Sequence, residues 1–381
     1  VDFRELPLFP DDGAQSVQRA RLGATWFWHD LKVNAEYELS FVQYSEGIGG
    51  SSALLPGATA TGKPRLWDPA PGEGNGFELQ HNLDRAMARF AVGPVDITLG
   101  RQAITWGSAW FWKPTDRFSP FSPTDVDPEV KRGVDAVRAE WYLGESSSID
   151  LLVVGERHDN HDRELWLHSG ARGRTTVGRT DLAMSLVRFQ TDKEGEWMGG
   201  LELTSEVGLV GVRCEVALNY PEESGEWYVE AVAGGDYRFP FGLTMAGEFF
   251  YNGYGTWDSD KYPQYMLATA GEGRNLGERL ARGEAFNIGA MYAGLALSQE
   301  VLPVLTASIS GLTNLADGSA ILLGGLRWSA MENARIMAGG IIPIGATPTL
   351  DPVPGGMPEL TIPTEFGAAP YMAYLLMRLA F

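Results

Sequence analysis

The sequence predicts an all-β protein: a closed antiparallel transmembrane β-barrel of about 16 strands, with 18 as the near alternative. Three observations predict it. Apolar and polar residues alternate with a period of two in segments of roughly ten residues, the length a tilted membrane strand requires. No window reaches the run of roughly 18 apolar residues that a transmembrane helix needs, because Gly, Arg, Glu or Pro interrupts the long apolar stretches. The segment 371–381 alternates in the same way and ends on Phe381.

Composition agrees. The 381 residues include 47 Gly, 12 Trp, 13 Tyr and 17 Phe, a mixture that suits many strands, tight turns and interfacial aromatics. A formal charge of -19 argues against nucleic acid as a partner, since neutralising phosphates takes a basic surface; it fits acidic outer loops. The single cysteine, Cys214, lies in a strand-like run with Val212, Val216 and Leu218, where a buried or lipid-facing thiol is expected rather than a catalytic one. No signal peptide starts at Val1, so a barrel requires this to be the processed form.

The elements follow in order. Residues 1–16 are expected to form a periplasmic or lumenal segment, and 17–381 the barrel. In strand 17–29, Leu22, Ala24, Trp26 and Trp28 oppose Arg19, Arg21, Gly23 and Thr25; in 31–44, Val33, Ala35, Tyr37, Leu39 and Phe41 oppose Asn34, Glu36, Glu38 and Ser40. A long loop near 45–77 precedes strands 78–92 and 95–107, and a second, near 108–132, precedes 133–144 and 147–157. After a loop near 158–179 come 180–191, 195–207, 209–221, 225–239 and 242–253. A loop near 254–283 leads to 284–299, 301–315, 319–330 and 333–344, and a last one, near 345–364, to 365–381. One rule is broken. Short turns and long outer loops should alternate, yet long connections follow the second, fourth and sixth strands and then the eleventh and fifteenth. One strand is therefore misplaced, expected either between 195 and 253 or at Asp2–Phe9. A soluble sandwich shares the alternation, but aromatics toward the strand ends and the lack of a domain linker argue against it.

The run Gly100-Arg101-Gln102-Ala103-Ile104-Thr105-Trp106-Gly107 opens a connection rich in Trp, Phe and Pro, from Trp110 to Pro123, that continues through Asp125, Asp127, Lys131 and Arg132. Exposed to water, its aromatics would form a sticky patch, and its prolines limit its conformations. An inward fold that narrows a pore is expected, with a cap over the rim as the alternative. Folded inward, it carries Arg101, Trp110, Trp112, Asp116, Arg117, Asp125 and Asp127 toward a wall bearing Arg138 and Glu140. Opposed charges across a narrow channel set a transverse field; the competing arrangement pairs these charges with one another and holds the loop shut.

The Gly-Arg-Gln, Trp-Gly and Pro-Thr-Asp elements resemble a motif of proteobacterial porin-like outer-membrane proteins. The segment 371–381, with Tyr371, Leu379 and Phe381, resembles the terminal strand signal read by the barrel-assembly machinery. These resemblances imply a bacterial outer-membrane location, with membrane lipid and that machinery as partners. The expected function is passive passage of small solutes, with no cofactor. Uptake of apolar ligands, received by Trp110, Phe111 and Trp112 and the Pro343–Pro363 connection, is a variant.

Enzymatic readings are weak. His158 and His161 have metal-like spacing without further ligands; Asp125 and Asp127 lack the remaining ligands of a calcium loop. No Ser sits in a nucleophile-like context, and Gly47–Gly50 and Gly72–Gly76 join no strand to a helix. Neither a metal site nor an enzyme is expected. Two rivals from other classes remain: a sheath or export conduit for a cytochrome or polysaccharide, which needs a wide loop-free lumen, and a hydrolase built on His158, His161 or His168. A homo-oligomer, a monomer and a periplasmic partner all stay open.

Overall fold

The computed structural model describes residues 15–44, 65–66, 72–74, 77–124, 131–157, 165–190, 195–267, 273–331, 334–351 and 359–379. The strands are β1 (Gln15–Trp28), β2 (Leu31–Tyr44), β3 (Gly72–Gly74), β4 (Phe77–Val92), β5 (Val95–Gln102), β6 (Val134–Tyr142) and β7 (Ser147–Arg157). They continue as β8 (Leu165–Val177), β9 (Thr180–Gln190), β10 (Gly195–Val207), β11 (Val210–Pro221), β12 (Tyr228–Arg238) and β13 (Leu243–Asn252). The remainder are β14 (Met291–Leu302), β15 (Leu305–Asn314), β16 (Ala320–Met331), β17 (Ala334–Ile344), β18 (Thr349–Asp351), β19 (Glu359–Thr361) and β20 (Met372–Leu379). Helices α1 (Tyr262–Leu267) and α2 (Arg274–Ala281) lie in the connection between β13 and β14.

All strands but β18 and β19 join one 18-stranded sheet. It is an antiparallel meander: β1 pairs β2, β2 pairs β4, each strand from β4 to β16 pairs the next, and β17 pairs β20. The three-residue β3 only extends the edge of β4. Among the described residues no ladder joins β1 to β20. The two run in the same direction, so an antiparallel closure takes one further strand.

The expected number of about 16 strands is therefore too low. The missing strand is β8, which lies inside the loop expected at 158–179, not between 195 and 253; Asp2–Phe9 is outside the described residues. With β8 inserted, every second connection is a turn of two to four residues, and the long ones all fall at the other end. The rule the sequence assignment broke is restored. β8 escaped detection because Trp166 sits on its polar face with His168, Gly170 and Arg172, while its other face fades from Leu165 and Leu167 to Ser169, Ala171 and Gly173. Tight turns show why the hairpins close where they do: His29, Gly93, Gly178 and Gly208 all take positive φ, as two-residue hairpin loops demand.

Two further boundaries move. β5 stops at Gln102, not at 107, because Ile104 and Trp106 leave the sheet and bury themselves. β14 begins at Met291, not at 284, because 284–290 belongs to the loop carrying α2. At the other end of the chain β20 starts at Met372 after a 3-10 turn, Phe366–Ala368.

Burial is the inverse of a soluble sandwich. On one face the mid-strand residues are apolar and open: Leu186 is 53% exposed, Leu201 58%, Leu295 48% and Ile309 51%. On the other, Glu215, Asn219 and Glu248 are almost wholly buried. A core cannot be charged while the surface is aliphatic unless the surface faces lipid. Exposed aromatics gather near the two strand ends, with Trp26, Trp28, Trp141 and Trp328 by the short turns and Trp197, Trp227 and Tyr251 by the long connections. Such girdles mark the two membrane interfaces.

Candidate functional site

The face bearing the buried charges is the one on which the long connections pack. Residues 103–124 and 131–133 cross it from β5 to β6 by way of β10–β13. Glu215 on β11 accepts the backbone N–H groups of Ser108 and Ala109 and the Thr115 hydroxyl. Glu248 on β13 accepts the N–H groups of Trp110 and Phe111, the second at 2.8 Å. A loop outside regular structure has backbone donors that need acceptors when buried; two wall carboxylates supply them.

The wall is shaped for the loop as well as charged for it. A Cβ on Gly170 would lie 2.8 Å from the Trp106 ring, and one on Gly294 would lie 2.7 Å from Phe111 and 3.0 Å from Trp112. Trp106 meets Phe118 edge-on at 5.4 Å, Phe118 meets Phe189, and Trp112 stacks on Phe250 at 5.4 Å. The Trp106 Nε1–H donates to Asp150 and that of Trp112 to Asn287. These rings form the two apolar clusters inside the sheet. The inward fold read from the sequence is the one observed.

A second connection interlocks with the first. Arg117 donates to Asn219, to Glu196 at 3.0 Å and to Glu284 at 3.0 Å, and Arg279 on α2 reaches Glu196 and Glu230. Burial alone would raise the Glu284 carboxyl, but the Arg282 and Arg117 guanidinium groups overcome that and hold it below the ordinary carboxylate range. Lys131 pairs with Asp116; burial lowers its pKa against that attraction. A third connection is tied by Glu365, whose carboxylate accepts from Asn287, Ile288 N–H, Asn314 and the Tyr292 hydroxyl. Burial still leaves its pKa raised.

The opposite wall pairs its charges side chain to side chain. Asp84, fully buried, receives Arg21 at 2.8 Å and Arg85 at 2.6 Å, plus the Gly133 N–H. A bulge in the β2–β4 ladder puts the consecutive Asp84 and Arg85 on one face. Arg101 grips Asp135 with two hydrogen bonds of 2.8 and 2.7 Å, Arg138 grips Asp150, and Arg172 grips Glu202.

Of the residues singled out in the sequence, Trp112, Asp116 and Arg117 come together between the two interlocked loops. Trp110 sits at the edge, 46% exposed, with Arg213 over its ring. Arg101 anchors the loop base, and Arg138 and Glu140 pair with each other at 3.1 Å lower on the wall. Mutual pairing is what the described residues show: β1–β8 carry arginines and carboxylates in near-equal numbers, mostly paired with one another, while β10–β13 carry mostly carboxylates. Asp125 and Asp127 lie outside the described residues, as do His158, His161 and Phe381. His168 holds Glu156 at 3.0 Å and accepts the Gln190 N–H. Leu379 ends β20, and Tyr371 is exposed just before it. Sequence reasoning missed Glu215, Glu248, Glu196, Arg279 and Glu284. A Glu at mid-strand was the available signal for the first two.

No family model matches the chain, and no curated protein does. Solved structures do. OccD3 (OpdP) of Pseudomonas aeruginosa aligns with a TM-score of 0.54 at 7% identity, over 96% of this chain and 88% of that one. OccK9 (OpdG) of the same organism gives 0.51 at 10% identity over 95% and 91%, and its OccK2 (OpdF) gives 0.50 at 11% over 96% and 92%. The likeness is one of fold, spans nearly the whole chain, and is to outer-membrane porins.

Proposed function

We propose that this chain is an outer-membrane channel that passes small solutes by diffusion through a closed barrel narrowed by the loop between β5 and β6. One observation carries the reading: an aliphatic face turned outward and a charged face turned inward, with the loop bolted across it. The outward face suits lipid, and the inward one suits a water-filled path whose walls set size and charge selectivity. The porin-like fold supports the same reading. Closure of the barrel belongs to the proposal, through one more antiparallel strand between β1 and β20, which makes the long-strand number 18.

The other functional classes fit less well. A sheath or export conduit requires a lumen clear of loops, whereas three connections meet inside this one. A hydrolase requires a nucleophile beside a histidine, and His168, the histidine buried on the inner face, faces Glu156 and Phe189. Purified protein reconstituted into liposomes tests the channel reading. Swelling rates should fall steeply as sugars and polyols of increasing size are supplied, with no lipid or peptide hydrolysis. Proteoliposomes that swell no faster than empty ones, with the protein folded, would contradict it.

A further inference from the structure

Between the two interlocked loops lies a cavity of about 40 Å³, lined by Phe111, Trp112, Asp116, Arg117, Arg279 and Ala285 among others. Three polar atoms of those lining residues are buried without a hydrogen-bond partner: Arg117 Nε, Arg279 Nε and one oxygen of Asp116. The three side chains are each at least nine-tenths buried. A buried donor or acceptor left unpaired is costly, so two such donors and one such acceptor on residues lining a single cavity point to an occupant that supplies two acceptors and a donor. The Lys113 side chain, also on the lining, makes no hydrogen bond or ion pair among the described residues, and its ammonium offers further donors.

Charge narrows the class. The lining carries Lys113, Arg117 and Arg279 against Asp116, Glu230 and Glu284, a balanced set. A net-charged solute would shed its hydration with no opposite net charge to receive it. A hydroxyl is a neutral group that both donates and accepts, as water and an amide are, and the flat apolar faces of the Phe111 and Trp112 rings favour hydroxyls carried on a carbon chain. We infer that this cavity is a binding site for a short neutral polyol in the path of the channel. The inference rests on the channel reading for its meaning, since the bound solute is one that the channel passes.

Saturation-transfer NMR on the folded protein in detergent, with glycerol as probe, tests it without requiring conduction. Contact signals should saturate with glycerol concentration, 1-propanol at equal concentration should give none, and glycerate should bind less well than glycerol. Ala285→Leu, which fills the cavity without touching an ion pair, should weaken the glycerol signal about tenfold. Lys113→Met removes the unpaired ammonium and should weaken it less, which provides a second variant should the first fail to fold. Signals that do not saturate, that survive both substitutions, or that favour glycerate would overturn the inference. Glycerol binding in a protein that conducts nothing would overturn the channel reading and leave the site standing.

Discussion

The two walls of the inner face solve the same problem in different ways. On β1–β8 most carboxylates meet a guanidinium of their own wall: Asp84 with Arg21 and Arg85, Asp135 with Arg101, Asp150 with Arg138. On β10–β13 four carboxylates are handed to the loops: Glu215 and Glu248 take backbone N–H groups, and Glu196 and Glu230 take Arg117 and Arg279. The first wall is paired largely within itself, the loop adding the Gly133 N–H to Asp84 and the Trp106 N–H to Asp150. The second is left with buried unpaired acids if the loop leaves, so the wall and the loop stabilise each other.

The difference between the walls is most sensitive to Glu215 and Glu248. Replacing both with alanine leaves four loop N–H groups without acceptors, at about 1–3 kcal/mol for each that stays buried. The loop should detach, open-channel current should rise with added flicker, and thermal unfolding should fall by several degrees; unchanged current noise would show that the carboxylates do not hold the loop. Next in size is Gly294→Val, whose side chain meets Phe111 and Trp112. Overpacking of this kind costs about 1–3 kcal/mol, and limited proteolysis should cut the loop faster than in the parent. The self-paired wall should respond less. Arg138→Ala should shift the reversal potential toward cation selectivity while changing conductance by less than about twofold, because Asp150 keeps the Trp106 N–H and the loop stays seated.

Acidity gives the smallest effects, with opposite signs at two loop residues. Glu284 is held below the ordinary range, so its contribution is complete above the unfolded carboxylate value of about 4.3 and is lost only as pH falls through its lower folded value. Conductance should therefore be flat from pH 8 to about 5 as far as this tie is concerned. Glu365 is raised, so the folded state binds the extra proton. The stability of its loop should fall as pH rises through that elevated pKa, and Glu365→Gln should flatten the slope in a pH series of melting temperatures.

Much of the fold was legible because strand period and tight turns are local. Val33 to Phe41 alternate with Asn34 to Ser40, and the structure keeps that register against β1. What was not legible depended on distant partners. β8 puts the buried Trp166 on the same face as His168, Gly170 and Arg172, and no pattern within 165–177 says that this face buries a ring. The loop's inward fold could be read from its own Trp, Phe and Pro content, yet the residues that pin it, Glu215 and Glu248, are more than a hundred positions away. Arg279 lies in a helical connection that carried no strand signal, and Glu284 was placed at the start of a strand that in fact begins at Met291.

The most direct test of the account is single-channel conductance in a planar bilayer, comparing the intact chain with one whose residues 108–132 are replaced by a short Gly-Ser turn. A small, steady, ion-selective conductance is expected from the intact protein and one several times larger after replacement. Equal conductances, or none from either folded form, would contradict a channel narrowed by this loop.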